Sequence, residues 1–105
     1  MARRQTPSLV RNAPVRSLPM DAATWRSVAA ELDLSPQQTR IVELILRGRQ
    51  DKEIAAELNL SVPTVRTYLK RIFDRIQVAD RMGLVLQAFA LAQELTTRPK
   101  SRRQR

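Results

Sequence analysis

The 105-residue sequence contains no cysteine and no histidine. Their absence excludes disulfides, zinc fingers and any catalytic triad that needs histidine. Glycine occurs only at Gly48 and Gly83, so a glycine-rich phosphate loop is also excluded. No apolar run approaches the roughly 20 residues of a membrane span, and none near the N-terminus is typical of a secretory signal. We therefore expect a cytoplasmic protein with no catalytic residues, metal, cofactor or membrane partner.

The sequence is strongly basic, but the charge is unevenly placed. It has 19 Lys and Arg against 10 Asp and Glu, a net charge of +9 that is typical of proteins that bind nucleic acid. Residues 1–20 carry four arginines and residues 96–105 carry five basic residues, all without an acid. Residues 21–95 are neutral. We expect a disordered basic arm at 1–20, a helical domain at 21–95 and a disordered basic tail at 96–105. A purely solubilising role for both ends stays open.

Residues 21–95 show the spacing of helices and no strand-like alternation. Apolar residues recur three and four positions apart, which predicts an all-α fold. The predicted helices cover about 21–32, 36–47, 51–58, 62–76 and 80–95. Their predicted N-caps include Asp21, Ser35, Ser61 and Asp80. Ser35 and Gln38 have the spacing of a capping box, and Gly48 and Asn59 suit left-handed positions after two of the helices.

The helices at 51–58 and 62–76 fit a helix-turn-helix corner, in which the second helix enters the major groove of DNA. On the outward side of that second helix, Arg66 and Lys70 are four residues apart, with Thr67 beside them. Arginine and lysine can bind guanine O6 and N7, and threonine can meet a thymine methyl. The same residues are also consistent with an ordinary solvated helix face.

Residues 34–86 resemble the LuxR/NarL/GerE-type helix-turn-helix domain of bacterial transcription regulators. The matching residues are Leu34-Ser35-Pro36, Val42-Glu43-Leu44, Gly48, Asp51-Lys52-Glu53-Ile54-Ala55, Leu58, Leu60-Ser61, Thr64-Val65-Arg66-Thr67, Leu69, Ile72-Phe73, Ile76, Val78 and Asp80-Arg81. The sequence departs from that pattern at Tyr68, where the family usually has histidine, and at Asn59 and Gln77, where it usually has glycine.

The resemblance implies a four-helix LuxR-type bundle, here preceded by one additional N-terminal helix that contains Trp25. Its third helix would read the major groove through Arg66, Thr67 and Lys70. Lys52 and Thr64 would contact the DNA backbone, and charge and position on the helix add two further backbone candidates, Arg71 and Arg75. Since residues 1–33 are too few for the receiver or ligand-binding domain of many family members, we expect a stand-alone DNA-binding domain.

The last helix is apolar nearly all round its circumference. We expect one stripe, Met82, Val85, Leu86 and Phe89, to cover the bundle. The remaining leucines, Leu84, Leu91 and Leu95, are then candidates for a homodimer interface. The alternative is that the Trp25 helix packs over that surface and leaves a monomer.

These observations predict a sequence-specific regulator of transcription that binds double-stranded DNA as a homodimer through its last helix. The alternative is an adaptor that uses the same bundle to bind a protein of the transcription machinery, such as RNA polymerase. An enzyme has little support, because no histidine, cysteine or glycine-rich loop accompanies the acidic residues.

Overall fold

A computed structural model describes residues 17–97, which fold into five helices with no strand. They are α1 (Ala22–Glu31), α2 (Pro36–Leu46), α3 (Asp51–Leu58), α4 (Val62–Ile76) and α5 (Arg81–Thr97). The predicted all-α fold, with one helix ahead of a four-helix bundle, is confirmed. Within the described range, no helix has the length and apolar character needed to cross a membrane. The basic ends predicted at 1–20 and 96–105 lie mostly outside residues 17–97 and stay predictions.

Four helices begin at the predicted capping residues, Asp21, Ser35, Ser61 and Asp80. In each case a side-chain oxygen accepts a hydrogen bond from the backbone N–H three residues later, at 2.8 to 3.2 Å. At Ser35 the capping box is complete, because the Gln38 side chain accepts from the Ser35 N–H at 3.0 Å. These bonds satisfy amide groups that have no partner inside the helix, and so they fix where each helix starts.

Four helices have a residue with left-handed backbone conformation at or just after their end. Gly48 follows α2 with φ of 85°, as its lack of a Cβ allows. Asn59 follows α3 with φ of 59°, and Gln77 follows α4 with φ of 68°. Asp33, in the turn between α1 and α2, is also left-handed, with φ of 57°.

The core is built from the inward faces of all five helices. Its fully buried larger side chains are Ile41, Ile54, Ile72, Leu84, Val28, Val42 and Val65. α1 packs mainly against α5, and α3 packs mainly against α4. Trp25 is only 5% exposed, and its indole N–H donates to Glu43 at 3.2 Å, which joins α1 to α2. The tryptophan thus combines a large buried area with a satisfied polar group.

The predicted orientation of α5 is wrong for three of the four stripe residues, and only Val85 packs against the core as expected. Leu84 is completely buried, and Leu91 and Leu95 are partly buried against the core. Met82 and Leu86, expected to face inward, are 62% and 60% exposed. Phe89, expected on the same inward face, is 40% exposed. Leu84 therefore has no free surface to offer a second chain.

The physical reason is the packing of α1 on α5. The buried residues of α5 besides Leu84 are Ala88 and Ala92, which lie four residues apart. Small side chains on one face allow a neighbouring helix to approach closely, so α1 packs there. The alternative predicted that the Trp25 helix packs on α5, and this packing is confirmed. The monomer that it also predicted stays a prediction. The packing of α1 leaves the stripe of Met82, Leu86 and Phe89 uncovered within the described chain.

Candidate nucleic-acid interface

The corner between α3 and α4 has the features expected of a helix-turn-helix. Ala55 is 4% exposed at the point where the two helices meet. Its carbonyl accepts from the Leu60 N–H at 2.8 Å, beside the left-handed Asn59. This hydrogen bond and the left-handed residue end α3 and turn the chain toward α4 within two residues. Ser61 then caps α4.

α4 has one apolar face and one polar face. Val65, Leu69 and Ile72 are buried against the rest of the bundle. Because successive residues turn by about 100° around a helix, the predicted base-reading residues lie on the opposite side. Arg66, Thr67 and Lys70 are all exposed there.

Arg66 is an exposed cation on this face with one ion-pair partner among the described residues. Its side chain is 68% exposed, and its Nε–H donates to Asp51 Oδ2 at 3.3 Å. Lys52 lines one surface hollow together with Arg66, and Lys70 lines a second hollow that Arg66 also lines. The structure thus brings Lys52, Arg66 and Lys70 together along one surface.

The two threonines of α4 are held by hydrogen bonds within the helix. The Thr67 hydroxyl donates to the Pro63 carbonyl at 3.1 Å, which turns its methyl group away from that bond. The Thr64 hydroxyl accepts from the Ser61 hydroxyl at 2.8 Å, so its own proton stays available for a phosphate oxygen. Both arrangements suit the contacts predicted for these residues.

Arg71 and Arg75 differ in their surroundings. Arg71 is exposed on the surface of α4. Arg75 instead reaches the turn after α1, where its guanidinium donates to the Asp33 side chain at 2.8 Å and to the Asp33 carbonyl at 3.1 Å. These bonds join the end of α4 to the left-handed turn at Asp33. Arg75 therefore uses its Nε–H and one amino group within the described residues, whereas Arg66 uses only its Nε–H. Arg75 has fewer donors left for a phosphate.

Sequence reasoning missed the role of Asp51 and Arg81. Arg81, the first residue of α5, donates to Asp51 Oδ1 at 3.0 Å and to the Arg49 carbonyl at 3.3 Å. Asp51 therefore accepts from two arginines that lie 15 and 30 residues further along the chain. No local spacing indicates such a contact, although both residues belong to the motif that resembles the LuxR type.

The pKa of Asp51 lies below its ordinary value. Partial burial of its carboxyl raises the pKa, but the hydrogen bonds from Arg81 and Arg66 and their positive charges outweigh that effect. Asp51 is therefore ionised at neutral pH, and the cluster of one carboxylate and two guanidinium groups keeps a net positive charge.

Residues 32–88 match the family model described as bacterial regulatory proteins, luxR family. The match covers more than half of the chain, includes the α3–α4 corner and agrees with the helical fold. The chain therefore belongs to the luxR family and carries its helix-turn-helix DNA-binding domain.

The chain is also similar to curated regulators. It is 38% identical over 66 residues to response regulator Rre1 of Synechocystis sp., covering 63% of this chain and 28% of that protein. It is 30% identical over 103 residues to a monoamine regulon transcriptional regulator of Klebsiella aerogenes, covering 85% of this chain and 45% of that protein. The chain thus spans less than half the length of these relatives. No solved structure matches it at a significant level.

Proposed function

We propose that this chain regulates transcription by binding a specific sequence of double-stranded DNA, with α4 in the major groove. The observation that carries the proposal is the placement of Arg66 and Lys70 on the exposed face of a capped helix, beside Lys52 of α3. Arginine and lysine are the side chains that most often bind guanine in the major groove. DNA would be its partner in the bacterial cytoplasm.

The residues divide into two groups of contacts. Arg66, Thr67 and Lys70 would meet base edges, because they lie on the outward side in the first half of α4, the part of a recognition helix that enters the groove. Lys52, Thr64 and Arg71 would meet phosphates on either side and set the position of α4. Asp74 is exposed further along the same helix, and its negative charge favours contact nearer the N-terminal end.

A homodimer formed through α5 completes the proposal. Met82, Leu86 and Phe89 recur four and three residues apart and form one exposed apolar stripe. A second copy of the same helix matches such a stripe, since a two-fold interface pairs a surface with itself. These residues replace Leu84, Leu91 and Leu95 as the proposed contacts.

Selection of bound sites from random duplex DNA tests the proposal. We expect an enriched palindrome that contains guanine and has half-sites about one helical turn, or about 10 bp, apart. Binding without any enriched sequence would contradict specific recognition. Retention of a protein of the transcription machinery without retention of specific DNA would favour the adaptor role instead.

A further inference from the structure

Three charged side chains from three different helices meet beside the exposed face of α4. The carboxylate of Asp51, at the start of α3, accepts from Arg66 of α4 at 3.3 Å and from Arg81 of α5 at 3.0 Å. The side chain of Asp51 is only 21% exposed, whereas that of Arg66 is 68% exposed. A partly buried acid therefore holds an exposed arginine.

The contact engages only one edge of the Arg66 guanidinium. Asp51 binds the Nε–H, which faces back toward the protein, and the two terminal amino groups have no hydrogen bond within the described residues. Those amino groups form the planar pair of donors that can bind guanine O6 and N7 together. Asp51 thus restrains the guanidinium without occupying the donors needed for base recognition.

Arg81 keeps Asp51 in position and compensates its charge. It donates to the carboxylate through one amino group and to the Arg49 carbonyl, at 3.3 Å, through the other. A lone carboxylate at this place would repel DNA phosphates, but paired with Arg81 it adds no net charge. The pair can therefore lie close to DNA without opposing its binding.

We propose that Asp51, held by Arg81, is a positioning residue that orients Arg66 toward a guanine base and so sets sequence specificity. A free arginine on a helix surface samples many rotamers and can bind phosphates of any sequence. Restraint by Asp51 lowers the entropy lost on binding guanine and disfavours the phosphate contacts. The inference rests on the proposed binding of α4 in the major groove.

The first test compares Asp51→Asn with the unchanged chain. The measurement is the ratio of Kd values for the selected operator and for operators in which each guanine is replaced in turn. We expect the discrimination at one guanine to fall about tenfold, which lies within the range of a bidentate arginine–guanine contact. Affinity for DNA of unrelated sequence should stay equal or rise, since the variant loses a negative charge.

Glu57→Gln is the matched control. Glu57 is an exposed acid on the same helix with no contact to Arg66, so its replacement changes the charge equally. We expect it to leave the discrimination at every guanine unchanged. Equal losses of discrimination in the two variants would overturn the proposal, because the effect would then come from charge alone.

A double-mutant cycle separates positioning from a general structural role. In an Arg66→Ala background, Asp51→Asn should cause no further loss of discrimination, because the residue that it orients is absent. If Asp51→Asn still lowers discrimination there, the proposal is overturned. Should Asp51→Asn not fold, Arg81→Lys replaces it in the cycle. This variant keeps the charge but cannot hold Asp51 and the Arg49 carbonyl with one planar group.

The outcome with Arg66→Ala distinguishes the two proposals. If Arg66→Ala changes base preference while Asp51→Asn and Arg81→Lys do not, the positioning role is wrong and recognition by α4 stands. If Arg66→Ala leaves base preference unchanged, recognition by Arg66 is wrong, and the positioning role falls with it.

Discussion

At the residue scale, three described residues other than glycine adopt a left-handed backbone conformation, and two of them end the helices of the α3–α4 corner. Asn59 and Gln77 end the two helices of the corner in left-handed geometry, with φ of 59° and 68°. Asparagine tolerates this region because its short side chain can bond locally. Glutamine has no such advantage, and Gln77 is held there by backbone hydrogen bonds at the end of α4, where the N–H groups of Gln77 and Val78 donate to the Phe73 carbonyl at 2.8 and 3.0 Å.

Replacing Gln77 by glycine should therefore stabilise the protein. The left-handed strain would be relieved, partly offset by the greater freedom of glycine in the unfolded chain, for a net gain of about 1 kcal/mol. Urea unfolding followed by circular dichroism measures the free energy of unfolding. Asn59→Gly is the matched control, and its free energy of unfolding should rise clearly less. A loss of stability in Gln77→Gly would show that the glutamine side chain contributes more than the strain costs.

The contrast between Arg66 and Arg75 shows what single residues reveal before a structure is known. The sequence places both cations on the outward part of one helix and predicts that both contact DNA. Only the fold shows that Arg75 pairs with Asp33, 42 residues earlier, whereas Arg66 pairs with Asp51. Contacts at such separations depend on how helices pack, which local patterns do not contain.

At the element scale, helix positions were predictable because their signals are local. Caps at Asp21, Ser35, Ser61 and Asp80 act within three residues, and the structure confirms each one. The inward face of α5 was not predictable in this way. Apolar residues surround that helix, so periodicity favours no side, and the packing of α1 decides which face is buried.

If the proposed homodimer forms through α5, replacing Leu86 by lysine should disrupt it. The residue is 60% exposed at the centre of the apolar stripe, so the change should have little effect on the folding of one protomer but should place a charge in the interface. Sedimentation equilibrium across a range of concentrations measures the dimer dissociation constant, which we expect to rise at least about tenfold.

Gln87→Lys provides the comparison for this variant. Gln87 is also exposed and is the next residue, but it lies about 100° away around α5. We expect Gln87→Lys to have the same dimer dissociation constant as the unchanged chain. If Leu86→Lys and Gln87→Lys dimerise equally well, the stripe is not the interface.

At the scale of the whole molecule, most of the excess positive charge lies apart from the residues proposed to recognise a DNA sequence. Residues 21–95 are neutral overall, and the net charge of +9 comes from the arginine-rich ends. Charge in the ends can increase affinity for any DNA sequence. In the proposed function, the choice of a sequence depends instead on α4 and on the side chains that orient Arg66.

Removing residues 98–105 should weaken binding to all DNA sequences alike, because five basic residues are lost. Each phosphate contact contributes about 0.9 to the slope of log K against log salt, so the slope should become shallower by up to about 4.5. Fluorescence anisotropy at several salt concentrations measures it. A full-length variant with the same five residues replaced by glutamine should behave like the truncation. An unchanged slope in both would contradict a DNA contact by this tail.

The most direct test of the central claim is the base preference of Arg66→Ala on the selected operator. Arg75→Ala is its control, since it removes the same charge from the same helix at a residue paired with Asp33. The proposed role predicts that Arg66→Ala loses discrimination at one guanine by about tenfold or more, whereas Arg75→Ala keeps the preference at every position. An unchanged preference in Arg66→Ala would contradict recognition of DNA by this face of α4.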